Sequence, residues 1–167
     1  VLKPRSAGAW AGFGANMKER MRKIVLAERK GASRLGILAA SGKIARRLLR
    51  LPEFKSARTV MFYVSTAGEV DTHGMIREAL RAGKRVLAPA MERGKKKIHA
   101  VVIRDFEKDL SPGEWGILEP VLGENGSVSP SRIDLIILPG VAFDLKGNRL
   151  GRGKGYYDGF LKRVPPA

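Results

Sequence analysis

Two spacings of apolar residues alternate along the chain and predict helices separated by strands. Apolar positions three and four residues apart predict a first helix with Met21 and Ile24 on one side. A second helix is predicted to begin after Ser33, as its N-cap, and to end at Leu51 and Pro52. Its expected inward side consists of Ile37, Leu38, Ile44, Ala45, Leu48 and Leu49.

Short runs rich in β-branched and aromatic residues predict four strands. They span residues 59–64, 85–88, 97–103 and 134–138. A helix capped by Asp71 or Thr72 and stopped by Gly83 is predicted between the first two strands, and a last helix over about residues 156–162. Because strands alternate with helices, we expect an α/β fold: a three-layer α/β/α domain with a mainly parallel, Rossmann-like sheet.

Length and composition favour one folded domain. The chain has 167 residues, 44% of them apolar, which suits a single globular unit over residues 17–167 after a disordered tail over residues 1–16. No apolar run reaches the roughly 18 residues of a membrane span, and there is no cysteine to form a disulfide or a nucleophile. These features fit a cytoplasmic enzyme that contacts no membrane, and we expect a monomer.

The charge balance is strongly positive, with 32 Lys and Arg against 16 Asp and Glu and a formal net charge of +16. Nucleic acid is the first partner that such a charge suggests. The cations are spread along the whole chain, however, and neither a zinc finger nor an RNA-binding aromatic signature is present. We therefore favour attraction of small polyanions, and nucleic-acid binding remains the lesser alternative.

A glycine-rich segment, residues 138–161, holds most of the candidate chemistry. It follows the predicted strand 134–138 and leads into the last helix. Its glycines, cations and tyrosines are Gly140, Gly147, Gly151, Gly153, Gly155, Gly159, Arg149, Arg152, Lys154, Tyr156 and Tyr157. Glycines let backbone N–H groups close on phosphate oxygens, while the cations and a helix N-terminus balance the charge. We predict an anion-binding loop, against the alternative of a flexible surface turn.

Two common phosphate motifs are excluded by the spacing of these glycines. A P-loop needs Ser or Thr after Gly-Lys, but Gly155 follows Lys154 here. A dinucleotide-binding fingerprint needs a third glycine where this chain has Tyr156. The anion-binding loop is therefore of another kind.

Charged positions beside and outside this loop allow two interpretations each. Lys18 and Arg22 lie four residues apart on the first helix and form either a phosphate clamp or a solvated face. The residues alone favour the solvated face. Glu69, just past the first strand, is either a solvent-exposed carboxylate or an acceptor for the N–H groups of a heterocycle. Asp158 is either an acid favoured by the helix N-terminus or a magnesium ligand, and a nucleotide site favours magnesium. The two histidines stand alone, which argues against a zinc-type site.

Together these segments resemble the 5-formyltetrahydrofolate cyclo-ligase family, also called 5,10-methenyltetrahydrofolate synthetases. The resemblance runs from about Met17 to the end of the chain. It is carried by residues 18–22, 63–72, 139–144 and 147–158, and residues 115–120 are similar to a further short family segment. Family members continue past the Tyr-Tyr-Asp helix into further strands with another acidic residue. The resemblance therefore implies that the C-terminal part of the domain is missing here, either because the sequence is a fragment or because the protein is a shortened relative.

The resemblance implies an ATP- and Mg²⁺-dependent ring closure of 5-formyltetrahydrofolate. The formyl oxygen on N5 attacks the γ-phosphate of ATP, N10 closes on the activated carbon, and phosphate leaves to give 5,10-methenyltetrahydrofolate. ATP and Mg²⁺ are thus the implied cofactors. The positive charge favours folates with polyglutamate tails as a further hypothesis. The alternatives are a non-catalytic nucleotide- or folate-binding relative and, behind it, a basic RNA-binding protein.

The resemblance also implies site residues. For ATP they are Lys18, Glu19, Arg20, Met21, Arg22, Arg149, Leu150, Gly151, Arg152, Gly153, Lys154, Gly155, Tyr156 and Tyr157. For the folate they are Val64, Glu69, Arg152, Gly153, Lys154, Gly155 and Tyr156, and for magnesium Asp158. We expect Arg152 and Lys154 to be catalytic, because phosphoryl transfer needs mainly cationic stabilisation. Nearby in sequence, Asp158 is their only evident carboxylate partner.

Overall fold

A computed structural model describes residues 13–92, 94–113, 116–121, 123 and 126–165. The helices are α1 (Ala15–Lys30), α2 (Arg34–Arg50), α3 (Pro52–Ser56), α4 (His73–Arg81) and α5 (Tyr156–Leu161), with a 3-10 helix at Pro130–Arg132. The strands are β1 (Thr59–Phe62), β2 (Arg85–Glu92), β3 (Lys97–Ile103), β4 (Ser111–Pro112), β5 (Leu118–Glu119), β6 (Ser127–Val128), β7 (Leu135–Ile137), β8 (Ala142–Phe143) and β9 (Arg149–Leu150).

A five-stranded sheet in the order β6-β3-β2-β1-β7 forms the centre of the molecule. β1 is parallel to both β2 and β7, whereas β3 is antiparallel to both β2 and β6. Within this sheet, therefore, every strand except β3 points the same way, and the predicted mainly parallel α/β fold is confirmed. The strand predicted over residues 85–88 is longer than expected, because β3 pairs with β2 as far as Glu92.

Helices cover both faces of the sheet, as a three-layer fold requires. On one face, α2, α3 and α4 contribute Leu48, Phe54 and Ile76 to the larger apolar cluster. On the other face, Phe160 of α5 joins the second cluster with Met61 of β1. Successive residues of a strand point to opposite faces, so β1 serves both clusters.

Helix α2 follows the predicted signals at both ends but not along its whole inner side. The Ser33 hydroxyl accepts a hydrogen bond of 3.1 Å from the backbone N–H of Gly36, which confirms the N-cap. Leu38 and Ile44 were expected to point inward, yet they are 48% and 45% exposed. The prediction was wrong because α2 packs mainly against α3 and α4, through the side on which Ser41 and Leu48 are buried.

Of the two predicted capping residues of α4, Asp71 makes the hydrogen bond to the helix, whereas Thr72 holds the N-cap position without a side-chain bond to it. Thr72 precedes the helix, and its hydroxyl donates to the carbonyl of Tyr63 (2.8 Å) and accepts from the N–H of Ser65 (3.1 Å). The Asp71 carboxylate accepts from the N–H of His73 (2.9 Å). These contacts tie the segment after β1 to the start of α4.

Most of the predicted N-terminal tail lies outside the described residues. Residues 1–12 of the expected tail lie outside the described residues, and its last two residues, Ala15 and Asn16, already belong to α1. The single domain over residues 17–167 stays a prediction. None of the described helices combines the length and the apolar character that crossing a bilayer demands.

Candidate functional site

A cavity of about 340 Å³ opens at the carboxyl ends of β1, β2 and β7. One wall is the segment that follows β1, including Tyr63, Val64 and Glu69. The β2–β3 hairpin supplies apolar side chains such as Met91, and the segment from Arg149 to Asp158 closes the other side. Ligands of open α/β sheets bind at this edge.

The loop after β9 needs glycine at two positions because of its backbone conformation. Gly153 and Gly155 have φ angles of 94° and 77°, in the left-handed region where side chains are strained. Gly155 directly precedes α5, so the loop ends at that helix's first turn. The glycine pattern seen in the sequence thus corresponds to a sharply turned loop at the cavity wall.

The β8–β9 ribbon that carries this loop is closed by Asp144. Its carboxylate accepts hydrogen bonds from the backbone N–H (2.8 Å) and the side-chain amide (3.0 Å) of Asn148. It also accepts one from the backbone N–H of Lys146 (2.9 Å). These bonds, above all the backbone bond from Asn148, lower the pKa of Asp144. The carboxylate therefore stays ionised and holds the turn ahead of the glycine loop.

The structure brings the residues expected for the folate together. All of them line the cavity: Val64, Glu69, Arg152, Gly153, Lys154, Gly155 and Tyr156. Val64 and Glu69 reach it from the segment after β1, and the others from the glycine loop. Two segments far apart in the chain therefore form one wall.

The residues expected for ATP fall into three groups. Those that line the cavity are Arg149, Gly151, Arg152, Gly153, Lys154, Gly155, Tyr156 and Tyr157. Leu150 is 2% exposed and packs in the interior. The α1 residues Lys18, Glu19, Arg20, Met21 and Arg22 are not part of the cavity wall. Of these, Arg22 reaches the loop, because its Nε donates a 2.8 Å hydrogen bond to the carbonyl of Gly151.

Glu69 is a largely buried acceptor and not a solvent-exposed carboxylate, since its side chain is only 13% exposed. Its Oε1 accepts from Nη2 of Arg152 at 3.0 Å, and its Oε2 accepts from the backbone N–H and the hydroxyl of Thr66. This corrects the expectation that Arg152 has no evident carboxylate partner other than Asp158. Nearness in the chain did not reveal a partner 83 positions away.

Asp158 instead pairs with Arg149, whose Nη2 lies 2.5 Å from its Oδ1. The Arg149 side chain is 9% exposed and also donates to the carbonyl of Pro139, whereas the Asp158 side chain is 69% exposed. Among the described residues, no group of three or more carboxylate and histidine side chains could hold a metal. Mg²⁺ commonly takes one or two carboxylates and completes its shell with phosphates and water, so a single accessible carboxylate on the cavity rim fits it.

Two tyrosines at the cavity keep their phenolic protons. Burial, reinforced by the negative charge of Glu69, raises the pKa of both Tyr63 and Tyr157. The Tyr63 hydroxyl donates to the carbonyl of Val70 at 2.9 Å. At neutral pH these phenols are therefore neutral hydrogen-bond donors.

Several residues of the site were not anticipated. Arg29 of α1 donates to the carbonyl of Gly140 (2.9 Å), which lines the cavity, and to that of the next residue, Val141 (2.8 Å). A signal existed, because Arg29 lies seven residues after Arg22 and hence on the same side of α1. Glu119, within the short segment 115–120, lines the cavity, and its carboxylate accepts from the N–H of Met91. Trp115 of that segment lies outside the described residues.

Known proteins with similar sequences and structures are folate enzymes. The sequence profile of the 5-formyltetrahydrofolate cyclo-ligase family matches residues 15–166. The chain is 31% identical to the 5-formyltetrahydrofolate cyclo-ligase of Mus musculus, over 91% of this chain and 73% of that protein. It is 37% identical to a probable cyclo-ligase of Schizosaccharomyces pombe, over 72% of this chain and 59% of that protein.

A solved structure supports the same family assignment. The 5,10-methenyltetrahydrofolate synthetase of Aquifex aeolicus superimposes with a TM-score of 0.77 at 40% identity, covering 89% of this chain and 73% of that one. The family match covers the strands, the glycine loop and α1, and so includes every wall of the cavity described above. The chain therefore belongs to the 5-formyltetrahydrofolate cyclo-ligase family of enzymes.

Proposed function

We propose that the chain catalyses the ATP- and Mg²⁺-dependent cyclisation of 5-formyltetrahydrofolate to 5,10-methenyltetrahydrofolate, with release of ADP and phosphate. The main support is that one cavity joins the cationic glycine loop to the buried carboxylate of Glu69. The loop suits a triphosphate, and the carboxylate suits the N–H groups of a reduced pterin. Family membership supports the same pairing of substrates.

The protein's task in this reaction is positioning and charge stabilisation. The formyl oxygen on N5 forms a bond to the γ-phosphorus, and the bond from that phosphorus to the ADP oxygen breaks. N10 then adds to the activated formyl carbon, loses its proton, and phosphate departs with the former formyl oxygen. Arg152 and Lys154 stabilise the charge on the transferring phosphoryl group, because both lie in the loop that lines the cavity.

The two ligands occupy adjacent parts of the site in this proposal. The nucleotide phosphates lie along residues 149–157, with Arg22 of α1 supporting the loop from outside the cavity through Gly151. Lys18 and the residues between it and Arg22 lie on the same helix and contribute to nucleotide binding from there. The folate lies against Val64 and Glu69 and extends along the loop as far as Tyr156. The protonated phenol of Tyr157 gives this part of the cavity a neutral hydrogen-bond donor, whereas the Tyr63 hydroxyl is already bonded to the carbonyl of Val70.

Mg²⁺ would be held by Asp158, the accessible carboxylate at the rim. When bound, the ion neutralises phosphate charge and orients the γ-phosphoryl group. Arg149 donates to Oδ1 of Asp158 and to the Pro139 carbonyl, so Oδ2 is the oxygen that would hold the ion. Arg149 thereby stays in place for the nucleotide.

A direct assay tests the proposal. Purified protein is mixed with 5-formyltetrahydrofolate and Mg·ATP, and the absorbance of methenyltetrahydrofolate is followed together with ADP release. Product formation that requires both substrates is expected. Tight binding of both ligands without product would identify a non-catalytic relative instead. Binding of oligonucleotides with steep salt dependence, and no response to folate, would favour an RNA-binding protein.

Further expectations accompany this function. A cytoplasmic location, a monomeric state and a preference for polyglutamylated folates stay predictions. The last of these follows from the net charge of +16, which attracts carboxylate-rich tails. Equal affinity for mono- and polyglutamates at low salt would contradict it.

A further inference from the structure

The ion pair between Glu69 and Arg152 links the two walls of the cavity. It joins a carboxylate of the segment after β1 to a guanidinium of the glycine loop, at 3.0 Å. The Glu69 side chain is 13% exposed and is also held by Thr66, whereas the Arg152 side chain is 61% exposed. The acid is therefore fixed, and the cation is the partner that can move.

This pair opposes binding of an anion by the loop. A guanidinium already neutralised by a carboxylate attracts phosphate less strongly than one without such a partner, because the opposing charge acts on both. The same carboxylate is the acceptor proposed for the N–H groups of the folate. Each ligand thus engages one member of the pair, and the pair must open for both to be bound.

We infer that Glu69 is a positioning residue that couples the two ligands of the site. While Glu69 holds Arg152, the loop binds nucleotide weakly. A folate that engages Glu69 releases Arg152, which then turns to the phosphates. The inference rests on the proposed function, and by linkage the nucleotide must strengthen folate binding by the same factor.

The size of the coupling follows from the exposure of the pair. Fully exposed ion pairs contribute little, but here one member is buried and held by two further hydrogen bonds. We therefore expect a coupling of about three- to tenfold in affinity, at the lower end of known couplings.

The decisive variant is Glu69→Gln, which keeps the shape and the oxygen that Thr66 contacts but removes the charge. In the absence of folate, Glu69→Gln should bind the non-hydrolysable nucleotide Mg·AMP-PNP about three- to tenfold more tightly than the wild type, measured by calorimetry. Glu107→Gln is the matched control, because Glu107 pairs with Arg77 and does not line the cavity. This control should leave AMP-PNP affinity unchanged.

Arg152→Gln shows whether the gain acts through Arg152. In that background Glu69→Gln should no longer tighten AMP-PNP binding. Addition of 5-formyltetrahydrofolate should also tighten AMP-PNP binding by the wild type and have a smaller effect on Glu69→Gln. Thermal unfolding of each variant verifies that it is folded.

The outcomes separate the inference from the function on which it rests. Equal AMP-PNP affinity of wild type and Glu69→Gln would overturn the coupling and leave the proposed function standing. If Glu69→Gln still tightens AMP-PNP binding in the Arg152→Gln background, the gain in affinity is a general charge effect. That result would also overturn the coupling. Absence of any AMP-PNP binding by the wild type would overturn the proposed function and the inference together.

Discussion

Arg22 of the first helix donates a hydrogen bond from Nε to the carbonyl oxygen of Gly151, 129 positions further along the chain, at 2.8 Å. The same guanidinium lies beside Gly153, where an added Cβ would be 3.3 Å from its central carbon. The Arg22 side chain is 17% exposed. The first helix therefore supports the glycine loop through a backbone carbonyl.

Arg22→Ala should weaken nucleotide binding by about tenfold to a hundredfold, because a hydrogen bond from a charged group contributes about 1.5–3 kcal/mol and 1.4 kcal/mol corresponds to tenfold. The fold should persist, since no residue of α1 is buried. Calorimetry with Mg·AMP-PNP measures the change. Lys23→Ala, one exposed position further on the same helix, is the control. Equal affinities of wild type and Arg22→Ala would show that the loop does not need this support.

Lys154→Ala should reduce turnover by about a hundredfold or more, because it removes a cation that stabilises the transferring phosphoryl group. The residue lies on the cavity wall and is exposed, so the thermal midpoint should hardly change. Steady-state kinetics of methenyltetrahydrofolate formation gives the effect, with Lys162→Ala as a matched exposed lysine. Near-normal turnover of Lys154→Ala would remove this residue from the mechanism.

Asp158→Asn should raise the Mg²⁺ concentration for half-maximal activity by about tenfold or more, since it removes the proposed carboxylate ligand. A Mg²⁺ titration at saturating ATP measures it. Glu78→Gln removes an exposed carboxylate of α4 that pairs with Arg81, and serves as control. If the Mg²⁺ requirement of Asp158→Asn matches that of the wild type, the Arg149 pair is the whole role of Asp158.

The lowered pKa of Glu92, at the end of β2, predicts that the stability of the protein depends on pH. Hydrogen bonds first from Lys95 and then from His99 lower the pKa of Glu92 to about 2, from 4.5. A carboxyl group whose pKa is lowered by folding stabilises the folded protein at pH values above its pKa in the unfolded chain. This stabilisation is lost as the pH falls through its pKa in the folded protein. Glu92→Gln should thus be less stable than the wild type above about pH 4.5, and the difference should vanish towards about pH 2.

Urea unfolding midpoints at several pH values check this expectation. The hairpin that Glu92 closes carries Met91 and Ile98, both on the cavity wall. Glu28→Gln, on α1, controls for the loss of one carboxylate. A stability difference that is constant between pH 7 and pH 3 would contradict the assignment.

Much of the architecture could be predicted from local patterns. The β-branched runs located the central strands, and the breakers at Pro52 and Gly83 located helix ends, because these signals act through the backbone of the residue itself. The meeting of Glu69 with the glycine loop was also predictable. Carboxyl ends of neighbouring parallel strands share one edge of a sheet.

Other features depend on tertiary geometry that no local pattern encodes. The direction of β3 is set by the tight turn after β2, and a strand's residue pattern is the same in either direction. Which cation of the glycine loop pairs with Glu69 depends on side-chain positions in the folded site, where Arg152 lies 3.0 Å away. The exposure of Leu38 and Ile44 reflects the packing of α2 against α3 and α4 through one side only, which helical periodicity cannot reveal.

The attachment of α1 has a consequence for how the molecule moves. Helices anchored by buried apolar side chains open only when the core opens, but α1 has none and is tied down by Arg22 and Arg29 to three loop carbonyls. Its amide hydrogens should therefore exchange with solvent long before those of β1 and β2. Any ligand that rigidifies those loops should slow exchange in a helix that lies outside the cavity wall.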